Sequence, residues 1–403
     1  MRKEFIKGTI IFTAASALVI SANFLFYFIG RYLSPEEFGV LASAISVLYI
    51  ILIPEAIIKT IVTRVVAAEK KAQSRAFATY IYKKVSLVLI AFLLLYAVLF
   101  IPLKNFLHLE SVLPLVLVGT VALYIFFRAI ELGILTGRKK FAKASSIGII
   151  EAVGKLLLGF GLVLLGFGVI GALVGIVIAG VISYLLSLFL ARSYDTKNGI
   201  QFKKLFNKEL IISVTVSIVV LNILIAVDVL IAKNKLSQLD AGLYSAVSTF
   251  GKLAFFGTSG IVTALFPLTS QKAKGSIKKK MFLLSSAFVA LISAVVILIY
   301  VFFDEQLILL VFGDKYIGAG SFLWIGALAF SFYSIINLSI QYLISRSRYK
   351  FVAAASLPVV LIIIFSMLRY TTDISSLIYS FVYSTGVAAL FLFIYSTTLK
   401  DEK

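Results

Sequence analysis

Residues 226–267, AVDVLIAKNKLSQLDAGLYSAVSTFGKLAFFGTSGIVTALFP, decide how this chain can fold. They form two apolar segments joined by a short polar turn, and Lys252 lies in the middle of the second segment. The turn is repeated near the start of the chain, where residues 33–40, LSPEEFGV, align with residues 236–243, LSQLDAGL. We therefore interpret the chain as two copies of one module.

The composition requires a lipid environment. Of the 403 residues, 61% are hydrophobic and 14% are charged, whereas soluble domains have about 45–50% apolar and about 25% charged residues. The net charge of +20 comes from basic residues in short connections between apolar segments, where they determine topology, so nucleic acid is not an expected partner. The chain has no cysteine and a single histidine, His108, which excludes disulfides and thiolate metal sites. No metal or cofactor is predicted.

Twelve apolar runs are long enough to cross a hydrocarbon core of about 30 Å, which requires about 20 helical residues. The predicted spans are 8–29, 38–58, 83–101, 112–135, 142–165, 168–190, 210–232, 242–267, 282–303, 318–343, 351–369 and 374–397. The runs lack the two-residue alternation of membrane strands. The predicted fold class is therefore an all-α integral membrane protein with twelve transmembrane helices.

A basic connection between the sixth and seventh spans divides the chain into halves. Residues 1–192 are predicted to form an N-terminal lobe, 193–209 a cytoplasmic basic linker, and 210–403 a C-terminal lobe. Because each half has six spans, the two halves have the same orientation, and a pseudo-two-fold axis along the membrane normal is predicted to relate them. Repeats of this kind usually enclose a cavity at their interface.

The distribution of basic residues predicts the orientation. Lysine and arginine are concentrated in the even-numbered connections, which places these connections and both termini in the cytoplasm. The basic stretches 61–82 and 195–209 are predicted to lie as amphipathic helices on anionic headgroups, so anionic membrane lipids are expected partners. With both lobes in one chain, we expect a monomer.

Short motifs in both halves resemble one family. The turn at 30–39, GRYLSPEEFG, and the segment at 241–246, AGLYSA, resemble polysaccharide flippases of the multidrug/oligosaccharidyl-lipid/polysaccharide (MOP) exporter superfamily. The motifs LFP at 265–267, FGDKY at 312–316 and GRKKF at 137–141 agree in type and position. The resemblance implies a V-shaped, two-lobed transporter around a central cavity. It also implies that lipid-linked sugars move from the cytoplasmic to the outer leaflet of the cell membrane by alternating access.

Charged residues within the spans are candidates for the transport site, because a charge at the centre of a membrane helix costs about 2.5–3.5 kcal/mol on insertion scales. Lys252 and Ser248 share a polar helix face near the midplane, and we predict that they bind substrate, with the lysine on the phosphates. The alternative for Lys252 is a structural ion pair with Glu151 or Asp228. Glu151 and Lys155 are four residues apart on one helix, which favours pairing. If they face the cavity instead, Lys155 becomes a phosphate contact and Glu151 an ion or proton site.

Two further charged pairs lie nearer the cytoplasm. Arg128 and Glu131, three residues apart in the fourth span, are predicted to pair, with Arg128 as a substrate contact and Glu131 as a coupling site. Glu55 and Lys59, four residues apart at the inner end of the second span, are predicted to lie at the membrane interface.

The remaining candidates are one acid and three amides. Asp228, near the outer end of the seventh span, is predicted to couple ions, to pair with Lys233 or Lys235, or to hold an outer gate. Uncharged polar stripes carry Asn23 in the first span and Asn337 and Gln341 in the tenth. They are predicted to bind sugar hydroxyls, although such stripes also hold membrane helices together.

The predicted function is therefore a flippase for a lipid-(pyro)phosphate-linked oligosaccharide in cell-surface polysaccharide or glycan assembly. The alternative is a cation-coupled multidrug or small-molecule antiporter of the same superfamily, which Glu55, Glu131 and Glu151 favour. An enzyme acting on the same lipid carriers is not expected, because the external acids lie in short turns and no motif arranges them.

Overall fold

The computed structural model describes residues 15, 17–68, 73–191, 208–270, 275–346 and 348–398, and this part of the chain is helical, without a strand. The prediction of an all-α fold is confirmed. The helices are α1 Ala17–Tyr32, α2 Pro35–Ala68, α3 Gln73–Phe106, α4 Leu113–Thr120, α5 Ala122–Gly137, α6 Phe141–Leu162, α7 Gly168–Ala191, α8 Lys208–Lys235, α9 Gln238–Ser270, α10 Gly275–Phe302, α11 Asp304–Val311, α12 Leu323–Ser345, α13 Tyr349–Tyr370 and α14 Ile374–Thr398.

Nine stretches of the described chain are long and apolar enough to cross a membrane. They coincide with ten of the twelve predicted spans, because the stretch Phe141–Ala191 contains the fifth and the sixth. The described part of the first predicted span is the shorter helix Ala17–Tyr32. The eighth predicted span lies in α9, which is not among these nine stretches of the described chain. The chain is thus a multi-pass membrane protein, and the number twelve stays a prediction.

The fifth and sixth predicted spans form a helical hairpin. The chain reverses near Gly166, whose φ of +89° is accessible to glycine without strain. A Cβ added to Gly175 of α7 would lie 2.3 Å from the backbone nitrogen of Gly159 of α6, and one added to Gly154 would lie 3.2 Å from the Cβ of Ala179. Both pairs are centred on the turn, which shows that α6 and α7 pack antiparallel through small residues, as close helix packing in membranes requires.

The predicted surface helices have two different outcomes. Residues 61–68 continue α2 without a break, and residues 73–82 begin α3, so the prediction of a separate surface helix over 61–82 was wrong. Residues 69–72 lie outside the described residues, as do residues 193–207 of the predicted linker and the first residues of the predicted first span. The seventh predicted span corresponds to α8, which begins at Lys208.

The chain divides into two compact units. Unit 1 comprises Met1–Leu33 and Val47–Asn207, and unit 2 comprises Ser34–Ser46 and Lys208–Lys403. The start of α2 thus packs within unit 2, where the ring of Phe38 lies 5.0 Å from that of Phe312 and the hydroxyl of Tyr316 donates to the carbonyl oxygen of Ser34 at 3.0 Å.

Candidate functional site

Unit 1 contains a buried charged cluster centred on Arg128 of α5, which is 4% exposed. Its Nε and Nη2 donate to Oε1 of Glu55 on α2 at 3.1 and 2.8 Å. Its Nη1 lies 2.5 Å from Oε2 of Glu151 on α6 and 2.8 Å from the hydroxyl oxygen of Ser183 on α7, to which it donates. One guanidinium therefore joins four helices.

The predicted ion pair between Arg128 and Glu131 was wrong. A pair on one helix contributes only about 0.2–0.5 kcal/mol, whereas a guanidinium offers five donors in a planar fork and can bridge two carboxylates. In a buried site, the acids of neighbouring helices satisfy more of these donors. Glu131 instead accepts a hydrogen bond from the hydroxyl of Tyr82 on α3. The ring of Tyr82 stacks on Phe127 at 5.9 Å.

Lys155 of α6 has a neutral partner. Its ammonium donates to Oδ1 of Asn23 on α1 and lies 4.8 Å from the centre of the Phe26 ring. Glu151, one turn earlier, is committed to Arg128, and within the described residues no carboxylate forms an ion pair with Lys155. The predicted pairing of Glu151 with Lys155 is therefore not what the structure shows. Lys155 is partly exposed.

Unit 2 contains a second charged centre, at Asp228 of α8. Its Oδ1 lies 3.4 Å from the Nζ of Lys252 on α9. Its Oδ2 accepts hydrogen bonds from the hydroxyls of Ser248 at 2.5 Å and Tyr244 at 3.4 Å. Asp228 is fully buried and Lys252 is 6% exposed, with the Phe330 ring centre 5.8 Å from its Nζ. The ion pair matches the structural alternative considered for Lys252.

The other predicted residues of unit 2 are Lys233 on α8 and two amides on α12, Asn337 and Gln341. Lys233, expected to pair with Asp228, donates to the side-chain oxygen of Gln238. On α12, Asn337 is buried and Gln341 is partly exposed. Two turns before Gln341, the hydroxyl of Ser334 accepts a hydrogen bond from Thr258 of α9 at 2.8 Å, so this polar stripe also joins helices.

Sequence reasoning missed the partners of Arg128. Glu55 was considered only together with Lys59, whereas its carboxylate, 13% exposed, accepts from Arg128. The signal was the isolated acid within an apolar run, which is costly unless it is paired. Among the described residues, no cluster of three or more metal-ligating side chains is present.

Comparisons with known proteins agree with this fold. A family described as "Polysaccharide biosynthesis protein" matches residues 5–273. No curated protein matches the sequence.

Three solved structures are similar over nearly the whole chain. A multidrug resistance MATE family transporter of the MOP superfamily has 14% identity over 96% of this chain and 97% of its own, with a TM-score of 0.77. The lipid II flippase MurJ has 18% identity over 98% of this chain and 88% of its own, with a TM-score of 0.72. A MOP superfamily transporter from Pyrococcus furiosus, described by a reverse polarity of its binding pocket, has 15% identity over 97% and 92%, with a TM-score of 0.58. At these identities the likeness concerns the fold.

Proposed function

We propose, on the premise that this chain belongs to the polysaccharide biosynthesis protein family, that it flips a lipid-(pyro)phosphate-linked oligosaccharide. The family resemblance read from the motifs is confirmed, and the similarity in fold to transporters of the MOP superfamily supports a transport function. The proposed movement is from the cytoplasmic to the outer leaflet by alternating access. The observation that carries the proposal is that Lys155 donates to a neutral partner, Asn23, and forms no ion pair within the described residues.

A charge balance explains why Lys155 suits a phosphate. In the cluster of unit 1, the cation of Arg128 faces two carboxylates, those of Glu55 and Glu151. The oxygen of Asn23 fixes the ammonium of Lys155 but is neutral. Glu151, one turn earlier, attracts this ammonium electrostatically, but its carboxylate forms its ion pair with Arg128. Placing such a charge in an apolar helix is costly, and an anionic ligand would offset that cost. An ammonium has three donors and no acceptor, which fits phosphate oxygens.

The other predicted substrate contacts are ranked by their partners. Arg128 and Lys252 each have an acidic partner at 3.4 Å or less, so we propose that they contribute to a phosphate site only when these pairs open. Ser248, Asn337 and Gln341 remain the proposed sugar contacts of unit 2. For unit 1, Asn23 is proposed to position Lys155.

The cellular setting follows from the same proposal. We propose a cell-membrane protein with both termini in the cytoplasm, acting as a monomer in the assembly of cell-surface polysaccharide or glycan. The positive-inside distribution of lysine and arginine supports this orientation.

A cation-coupled antiporter is the second candidate, and the environment of Asp228 favours it. This carboxylate is fully buried and touches Lys252, Ser248 and Tyr244. Binding of a cation to Asp228 would compete with Lys252, and such competition would couple the ion to a movement of α8 relative to α9. Glu151, whose side chain is 34% exposed, and Glu131 are further proposed coupling sites.

The test uses sealed proteoliposomes with a fluorescent pyrophosphate-linked oligosaccharide, in which the fraction accessible to added glycosidase is followed over time. We expect faster exposure than in empty vesicles, and a loss of this exposure in Lys155→Gln. Lys143→Gln, the same substitution twelve residues earlier on α6, is the control and should keep the native rate.

The same vesicles distinguish the two candidates. If no oligosaccharide exposure exceeds that of empty vesicles under an imposed potential and ion gradients, the flippase proposal is wrong. Efflux of a fluorescent organic cation under a proton or sodium gradient, abolished by Asp228→Asn, would then support the antiporter.

A further inference from the structure

A groove of about 420 Å³ lies on unit 2 between α10, α12 and α14. Its lining is apolar and includes Leu283, Ala287, Ala290, Ile335, Leu390 and Phe393. Leu283 is 41% and Leu390 is 60% exposed, although both lie in helices apolar enough to span the membrane. In a bilayer, such exposed apolar side chains contact the acyl chains of the lipids.

The groove is preformed by a packed floor. Phe282 of α10 stacks on Tyr342 of α12 with ring centres 4.5 Å apart, and Phe393 of α14 lies 5.6 Å from Phe282. Phe282 and Tyr342 are fully buried. At the opposite end of the lining, a Cβ on Gly386 would lie 3.2 Å from Phe332, so the glycine preserves the width of the groove. Because buried rings hold this groove open, a lipid acyl chain can occupy it without a rearrangement of the helices.

One end of the groove carries positive charge. Lys279 and Lys280 are exposed at the start of α10, and Lys279 is four residues before Leu283 while Lys280 is seven before Ala287. These spacings place both lysines on the groove face of the helix, about 6 and 10 Å along its axis. Arg346, at the end of α12, donates from Nη1 to the hydroxyl of Tyr342 at 2.9 Å and so lies beside the floor.

We propose that this groove binds one anionic phospholipid of the bilayer, with an acyl chain along the groove and the phosphate on Lys279 and Lys280. The charge of these lysines complements a phosphate at the end where the apolar lining stops. The proposed orientation places this end at the cytoplasmic leaflet, whose anionic lipids attract basic residues. The site is separate from Lys155 of unit 1 and does not depend on the flippase proposal.

The lining argues for a bilayer lipid rather than the transported glycolipid. Of the side chains that line the groove, only Ser286 is polar, and its hydroxyl donates to the carbonyl oxygen of Phe282 at 2.9 Å. A glycan would therefore find no free hydrogen-bonding partner in this lining, whereas an acyl chain requires none.

Native mass spectrometry of the full chain, with phosphatidylglycerol or phosphatidylcholine of the same acyl chains added, tests the proposal. We expect one tightly retained phosphatidylglycerol and weaker retention of phosphatidylcholine. Because each basic residue near an anionic surface contributes about 1 kcal/mol, which is about fivefold in affinity, the double variant Lys279→Gln/Lys280→Gln should lose roughly 25-fold. The matched control is Lys83→Gln/Lys84→Gln, an exposed lysine doublet on α3, which should retain the lipid.

Filling the groove gives an independent readout. Ala287→Phe should displace the acyl chain and weaken retention of both lipids, whereas Ala354→Phe, at an exposed alanine of α13, should not. If Ala287→Phe does not fold, the retention of phosphatidylglycerol by the Lys279→Gln/Lys280→Gln variant still tests the proposal. Equal retention of phosphatidylglycerol by the Lys279/Lys280 variant and its control would overturn the proposal. So would displacement of phosphatidylglycerol by an equimolar polyprenyl phosphate, because the groove would then belong to the transported carrier.

Discussion

Gly39 and Gly242 occupy equivalent positions in the two copies of the repeated turn, and their backbones are in contact within unit 2. A Cβ added to Gly39 would lie 3.2 Å from the backbone nitrogen of Gly242, and one added to Gly242 would lie 1.9 Å from the carbonyl oxygen of Pro35. The glycine of the second copy therefore permits the starts of α2 and α9 to approach closely.

Gly242→Ala should destabilise the protein, because the new methyl group meets backbone atoms that cannot move independently. Overpacking typically costs about 1–3 kcal/mol, and we expect the upper part of that range or more. Gly257→Ala is the control on the same helix, since a Cβ there has nothing within 4 Å, and it should be neutral or slightly stabilising. Thermal unfolding in detergent measures both; equal melting temperatures for the two variants would contradict the close contact.

The ion pair of Asp228 with Lys252 should show strong coupling. Either single substitution, Asp228→Asn or Lys252→Met, leaves one buried charge unpaired, which costs about 3–5 kcal/mol. The double variant removes both charges and should be more stable than the sum of the single effects predicts. A double-mutant cycle on the free energy of unfolding tests this; additive effects would show that Lys252 and Asp228 do not interact.

Arg128 should not be replaceable by lysine. Arg128→Lys keeps the charge but loses the planar fork that contacts Glu55, Glu151 and Ser183 together, so the melting temperature should fall. Glu55→Gln should also lower it, because it weakens two charge-assisted hydrogen bonds. Glu131→Gln is the comparison in the same unit. The amide oxygen that Glu131→Gln introduces can still accept from Tyr82, so the fall in melting temperature should be smaller than for Glu55→Gln. A larger fall for Glu131→Gln would show that Glu55 is not the more important acid of this unit.

A nearly isosteric substitution at Asn23 tests whether transport depends on the positive charge of Lys155. Asn23→Asp places a carboxylate where the amide oxygen accepts from Lys155, which should neutralise the ammonium and reduce oligosaccharide exposure in proteoliposomes about as much as Lys155→Gln. Asn23→Ala removes the positioning contact without adding charge and should have an intermediate effect. Full activity of Asn23→Asp, with the protein folded, would mean that transport does not require a Lys155 that is free of an ion pair.

The spans were predictable because they follow from local properties. A run of about 20 apolar residues cannot remain in water, and in lipid its backbone groups must be satisfied within the helix. Ten of the twelve predicted spans therefore coincide with apolar helical stretches of the described chain. The surface helix predicted over residues 61–82 was wrong because charge pattern alone does not reveal where a long helix ends: α2 continues through Arg64 to Ala68.

The amino-acid sequence by itself determined the membrane environment, the helical class and the family, since hydropathy and short motifs are carried by neighbouring residues. Only the tertiary structure decided which charges meet. Spacing on one helix suggested Arg128 with Glu131 and Glu151 with Lys155, but the pairs formed are Arg128 with Glu55 and Glu151, and Lys155 with Asn23. The physical reason is that a buried charge must be satisfied by whichever partners the packing brings within reach. In this protein those partners come from other helices, both neighbouring in sequence, as for Glu151, and distant, as for Glu55 and Asn23.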